Sequence, residues 1–253
     1  MEHALEDATP MRYRRATAML ALALGMSAFA LVVLAGPAYR LHLLALGSAF
    51  SLLRWGAWAG LAAVVIGVIS AWLVRPGQGR PGFGLALAGL ALGAIAFGAP
   101  VALLQKARSV PPIHDISTDT ETPPTFVAVL PLRKDAANPA DYGGAEIARQ
   151  QHQAYPDIQP ATVALTAPQA YARALQVAQA MGWAIVATAP ESGRIEATDT
   201  TLWFGFKDDI VIRVSAQGNA SRVDIRSVSR VGRSDMGKNA QRIRDFLQRL
   251  PPG

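Results

Sequence analysis

Two stretches of the 253-residue chain gather side chains that could do chemistry. In Arg226-Ser-Val-Ser-Arg-Val-Gly-Arg-Ser-Asp-Met-Gly-Lys-Asn239, five polar groups, Arg226, Arg230, Arg233, Asp235 and Asn239, lead from a strand pattern into a helix pattern. Free backbone N–H groups in that helix's first turn, beside Asp235 and Asn239 and with Arg230 or Arg233 as counter-charge, could hold an anion. The competing role is structural: Asp235 pairs with a nearby Arg and fixes the strand-to-helix corner, since a carboxylate is out of place at the centre of an anion site. The second stretch, Arg194-Ile-Glu-Ala-Thr-Asp-Thr-Thr-Leu-Trp-Phe-Gly-Phe-Lys-Asp-Asp209, sets Trp203, Phe204 and Phe206 beside Lys207, Asp208 and Asp209. Such rings form either an aromatic lip for lipid, a protein partner or a ligand, or a loop that caps the core between helix and sheet.

A third group, His114, Asp115, Ser117 and Asp119, lies in an extended stretch, where neighbouring side chains point to opposite faces rather than to one point. Local side-chain to backbone bonds that shape a turn are expected there. His152 is too isolated to make a metal site. The chain has no cysteine, which excludes a disulfide scaffold, thiolate zinc, a thiol nucleophile and cysteine-ligated clusters. No catalytic residue, metal ligand or cofactor is therefore assigned. An enzymatic alternative would act on a cell-envelope substrate with acid-base groups drawn from His114, Asp115, Asp199, Asp208 and Asp235. It requires two or more of them to meet in one cleft.

The elements that must position these groups begin with a membrane. The composition is 51% hydrophobic and 17% charged, and residues 11–104 contain no acidic side chain. Runs 16–36, 55–74 and 83–104 are uncharged, and at 1.5 Å per residue each can cross about 30 Å of hydrocarbon. A cleaved signal would not be followed by two more such runs. Arg12, Arg14 and Arg15 precede the first run, and Arg75 and Arg80 separate the second and third. By the positive-inside rule these sites face the cytoplasm, and three crossings then place the rest of the chain outside the inner membrane, in the periplasm. Residues 38–54 fit a helix lying in the headgroup region. Gly56 with Gly60, and Gly89 with Gly93, are spaced for close helix approach. No Asp, Glu or Lys interrupts a run, so anchoring is favoured over transport.

Residues 1–104 are thus read as a membrane domain, 105–160 as a proline-rich extended strap, and 161–253 as an α+β domain. Prolines remove backbone donors and push their predecessors to extended conformations. Apolar residues pin the strap locally, and Thr125 to Leu130 could add a short edge strand. Thr166-Ala-Pro-Gln169 starts a helix whose stripe is Tyr171, Ala174, Leu175, Ala178 and Met181, with Gly182 at its exit. Four alternating segments between 183 and 230 read as an antiparallel meander, joined by a further strand at 161–165. Asp235 is the N-cap candidate of a last helix carrying Ile243, Phe246, Leu247 and Leu250. The expected fold is three transmembrane helices, then an antiparallel sheet of four or five strands packed against two helices.

The two quoted stretches closely resemble the bacterial family called domain of unknown function 1499. The resemblance covers about 110–253, and the three-helix region is similar to membrane-anchored members. The family carries no established activity, so the resemblance implies a fold rather than a reaction. A looser likeness, through the helix, the Gly-Trp turn and the Gly-Arg-Ile-Glu strand, is to helix-grip modules of envelope lipoproteins that scaffold membrane machinery. Residues 105–253 hold 17 Lys+Arg against 15 Asp+Glu and no basic aromatic strip, which argues against nucleic acid. The expected partners are membrane lipids and an envelope protein. The sequence leaves the oligomeric state open.

Overall fold

The computed structural model describes residues 8–74 and 82–250, with the side chains of 8–12 undescribed. Arg75, Arg80, Pro251 and Pro252 lie outside the described residues. Three long helices come first: α1 (Ala8–Arg40), α2 (Leu46–Leu73) and α3 (Phe83–Arg108). All three are long and apolar enough to cross a membrane. The headgroup helix expected over 38–54 does not form, because α1 runs on to Arg40 and α2 starts six residues later. His42, with φ 59°, turns the chain between them.

Small residues let these helices approach. A Cβ at Gly60 would lie 2.7 Å from the Gly93 carbonyl oxygen, and one at Gly93 would lie 2.7 Å from that of Gly60. The seam is therefore backbone against backbone, as the four-residue glycine spacing predicts. Residues Met1–Gln105 form one compact unit together with a short distant segment, Trp203–Gly205.

The second unit comprises Lys106–Leu202 and Phe206–Gly253. Its elements are β1 (Asp115–Ser117), a 3₁₀ turn at Leu130–Arg133, α4 (Gly144–Ala154), β2 (Ala161–Val163), α5 (Ala167–Ala180), β3 (Ala184–Ala189), β4 (Arg194–Thr200), β5 (Lys207–Gln217), β6 (Ala220–Ser229) and α6 (Lys238–Arg249). The strands form one six-stranded antiparallel sheet in the order β1-β6-β5-β4-β3, with β2 also paired to β6. β1 takes Arg226 to Val228 of β6 as partners and β2 takes Ser221 to Val223, so the two short strands lie end to end along one side of β6. The β3–β4 pairing is irregular between Ile185 and Ala187.

Two parts of the strap depart from the sequence expectation. The strap's strand is Asp115–Ser117, while 125–129 is a loop leading into the 3₁₀ turn. Residues 144–154 are helical despite the surrounding prolines, because none falls within that segment. Its buried Gln151 explains the placement: the side-chain amide donates to Ser117 O at 2.7 Å and accepts from Ser117 N at 2.9 Å, acting as a further strand.

Alternation in the strands gives the sheet two faces. Ile195, Ala197, Ile210, Ile212, Val214, Val223 and Ile225 face the apolar stripes of α5 and α6 and form the main core. Thr166 and Gln169 make the expected capping box at the start of α5. Trp183 stacks on Phe246, with ring centroids 5.6 Å apart. The opposite face carries Glu196, Thr198, Asp209, Val211, Arg213, Asp224, Arg226 and Val228, and the strap covers it. There the apolar content shrinks to a small cluster around Phe126, Val129, Val211 and Val228.

Candidate functional site

At the end of the helix-side core the strands turn polar. Asp199 and Asp208 are direct partners across β4 and β5, and Arg242 of α6 reaches over both. Its Nη2 donates to Asp208 at 2.7 Å and to Asp199 at 2.7 Å, and Nε donates to Asp199 at 3.0 Å. Nη1 donates to Ser227 Oγ at 3.1 Å and to Asn239 Oδ1 at 2.5 Å. All three nitrogens of the guanidinium are thus committed, and Arg242 is only 6% exposed. Burial alone would lower its pKa, but Asp208 and Asp199 outweigh burial and hold it above the usual arginine value.

Asn239 links this cluster to its surroundings. Its amide nitrogen donates to His114 O at 2.9 Å and Ser229 Oγ at 3.1 Å, and its Oδ1 also accepts from Ser227 Oγ at 2.7 Å. Asp235 lies before α6, three residues earlier than the first helical residue, and the N-cap is Gly237. Its carboxylate accepts from Gly237 N at 2.8 Å and Asn239 N at 2.7 Å. That grip holds a turn in which Met236 and Gly237 both have positive φ, 54° and 78°. Burial pushes the Asp235 carboxyl above its usual range despite these two bonds, and the nearby Asp208 adds to the push.

The cluster opens on a cleft of about 310 Å³ lined by Met181, Trp183, Asp199, Lys238, Arg242 and Arg249, among others. The lining carries both signs of charge. Among the described residues no group of His, Cys, Asp and Glu is arranged to hold a metal ion.

The strap face gathers the remaining ions. Arg226 is 2% exposed; it pairs with Asp115 at 2.9 and 2.7 Å and donates to the carbonyls of Pro124 and Ala140 at 3.2 and 2.7 Å. Its guanidinium carbon sits 5.2 Å from the ring centre of Phe126 and 5.4 Å from that of Tyr142. Burial, with Asp115 adding to it, pushes the Tyr142 hydroxyl up to about 12. Arg230 holds both oxygens of Asp209 at 2.8 Å and donates to Leu132 O at 2.6 Å, while Arg133 donates to Asp209 at 2.5 Å. Burial would raise the Asp209 carboxyl, but hydrogen bonds from Arg230, Thr198 and Arg133 hold it below its usual value. Buried Glu196 accepts from the backbone N–H groups of Val127, Ala128 and Val129 at 2.9–3.1 Å and from Arg194 at 2.9 Å.

The residues singled out in the sequence therefore part company. Asp235 and Asn239 join the Arg242 cluster, while on the other face Arg226 binds the strap's Asp115 and two strap carbonyls, and Arg230 binds Asp209 of β5 and one strap carbonyl. Arg233 is exposed, and its carbonyl lies 3.4 Å from His114 Nδ1. Of the 114–119 group, Asp115 pairs with Arg226. Asp119 does shape a turn, accepting from Glu121 N and Thr122 N, and also binds Arg213 and Arg222. His152 meets Thr120 at 2.9 Å. Phe206 stays in the second unit, where its N–H donates to Thr201 Oγ1 at 2.9 Å. Trp203 and Phe204 belong to the helical unit.

Sequence reasoning missed Arg242, Glu196 and Gln151. Arg242 had a signal: it falls on the stripe 239, 242, 243, 246 and 250, so a cation on the apolar face of α6 demanded buried partners. A search of curated proteins finds no matching relative. The family model described as "Protein of unknown function (DUF1499)" matches residues 115–250, more than half of the chain, which therefore belongs to that family.

Proposed function

We propose that this DUF1499 member is a multi-pass protein of the bacterial inner membrane, its family domain on the periplasmic side, serving as a binding or scaffolding module of the cell envelope. Lipids surround its helices and an envelope protein is its partner. The observation that carries the non-catalytic reading is that the acidic groups catalysis would use are already engaged. Asp115 is held by Arg226, Asp199 and Asp208 by Arg242, and Asp235 by two backbone N–H groups. A general acid or base must reach the proton it moves, and these carboxylates are tied to cations or helix donors instead.

The anchor is supported by exposed tryptophans toward both ends of the uncharged run 55–74 within α2, Trp55 and Trp58 at one end and Trp72 at the other. Trp72 lies about 21 to 26 Å along the axis from the other two, as aromatic residues at two membrane interfaces would be. An odd number of spans puts the α1–α2 turn on the same side as the chain that follows α3, and Trp203–Gly205 group with that end of α1. The Arg cluster before α1 supports a cytoplasmic start.

Protease added to intact spheroplasts should digest residues 106–253; protection until lysis would overturn the assignment of sides. A photo-crosslinker at exposed Leu132 should capture one defined envelope protein in intact cells, and capture of none would overturn the scaffolding role. The enzymatic alternative has one observation in its favour, the facing Asp199–Asp208 pair beside a cleft. It predicts that Asp199→Asn has the same effect on the cells as loss of the whole protein while leaving the Leu132 crosslink intact.

A further inference from the structure

Pro37 lies inside α1, near its end. Proline has no N–H, so the carbonyl of Val33, four residues earlier, loses its helical donor. Val33 lies in a helix long and apolar enough to cross a membrane, where a carbonyl without a partner is costly. The helical unit supplies a replacement: the indole Nε1–H of Trp203 donates to Val33 O at 3.0 Å. The ring rests on Gly36, where a Cβ would come within 2.6 Å of indole Cδ1, so a side chain at that position would displace it. Trp203 also packs against the small cluster of Ala28, Val32 and Ala96. Phe204 follows, with its ring centre 6.0 Å from that of Tyr39 and 5.7 Å from that of Phe50. Gly205, at φ 70°, passes Arg40 so closely that a Cβ would lie 2.8 Å from its Cγ.

We propose that Val33, Gly36 and Pro37 form a receptor notch in α1 whose occupant is Trp203 of the same chain, the indole N–H standing in for the hydrogen bond that proline removes. Proline opens the acceptor, glycine clears the floor, and tryptophan fits because it combines a large flat ring with one donor and no acceptor. Residues 203–205 are then a docking segment, and the three helices are its receptor as well as an anchor. Nothing in this depends on the side of the membrane or on the partner discussed above.

The test is a double-mutant cycle on the full chain in lipid nanodiscs, read as the rate of proteinase K cleavage within 201–206. Trp203→Phe in the natural background should raise cleavage about three- to tenfold through loss of the hydrogen bond. In a Pro37→Ala background, where Val33 regains a helical donor, the same change should raise it less than about twofold. Equal effects in both backgrounds would overturn the proposal. A second cycle covers the case in which Pro37→Ala misfolds. Gly36→Ala should raise cleavage when Trp203 is present and leave it unchanged in a Trp203→Ala background; an equal rise in both would show that the indole does not occupy the notch.

Discussion

On one face of the sheet, Ile195, Ile210, Ile212, Val223 and Ile225 meet the stripes of α5 and α6; on the other, Glu196, Asp209, Asp224 and Arg226 meet a proline-rich strap. Both faces are buried, yet one is closed by hydrocarbon and the other by ions. The difference follows from what each cover does with its own backbone. A helix satisfies its peptide groups internally, so its side chains need only be apolar. Between Ser117 and Gly144 the strap forms only the short turn at Leu130–Arg133, and its prolines at 123, 124, 131 and 139 supply no N–H, which leaves carbonyls seeking donors. Arginine, with five N–H donors and no acceptor, fits that need. Arg226 donates to Pro124 O and Ala140 O, Arg133 to Asn138 O and Pro139 O, Arg213 to Thr122 O, and Arg230 to Leu132 O. Where the strap has donors to offer, at 127–129, a carboxylate takes them.

The contrast is sharpest for Arg226→Ala, which leaves Asp115 buried without its partner and should cost about 3–5 kcal/mol in a denaturant titration of the full chain. Replacing both, Asp115→Leu with Arg226→Met, should recover most of that loss; failure to do so would mean that the carbonyl contacts, rather than the charge pair, hold the strap. Ile212→Ala, opposite in kind, should cost about 3 kcal/mol by opening a cavity under the helices, without loosening the strap. Glu196→Gln should cost about 1–3 kcal/mol and raise amide exchange at Val127 to Val129 selectively. An exchange rise spread over the whole domain would break the view that Glu196 acts locally.

Acid should divide carboxylates of the two faces. The native carboxyl of Asp209 lies below its ordinary value of 3.8. Its contribution is therefore present above that value and lost as pH falls through the native pKa. Asp235, raised in the native state, has the opposite sign: its contribution is complete below 3.8 and is lost as pH rises toward the native pKa. Asp209→Asn should accordingly flatten the acid limb of a stability–pH curve. The smallest effect is expected at Arg244–Asp157, an ion pair with a half-exposed carboxylate, where Asp157→Asn should cost less than about 1 kcal/mol.

These faces were unequally legible. Period-two alternation in β4 to β6 and period-3.6 stripes in α5 and α6 report hydrocarbon burial directly, so the helix-side core and the three long apolar helices follow from pattern alone. The ionic face does not announce itself, because Arg213 or Asp224 between apolar neighbours reads as a solvated position until the strap is laid over it. The strap's prolines point to an extended chain, and the helix at 144–154 is hidden because its burial hinges on one polar residue, Gln151. Near the candidate site, Asp235 and Asn239 stood out through the helix start they flank. Their union with Asp199 and Asp208 needed the β4–β5 register and the reach of Arg242, neither of which is local in sequence.

The lateral finish of the sheet bears on how the domain meets other strands. Strand borders invite neighbouring molecules to add on, the first step toward fibrous aggregates. Here β6 is sealed by β1 and β2 laid end to end, and Ser117 at the outer margin has both peptide groups occupied by Gln151. The opposite margin, β3, breaks stride between Ile185 and Ala187, so an incoming strand would lose register within a few residues. A sheet bordered in this way offers an added strand little regular edge on either side.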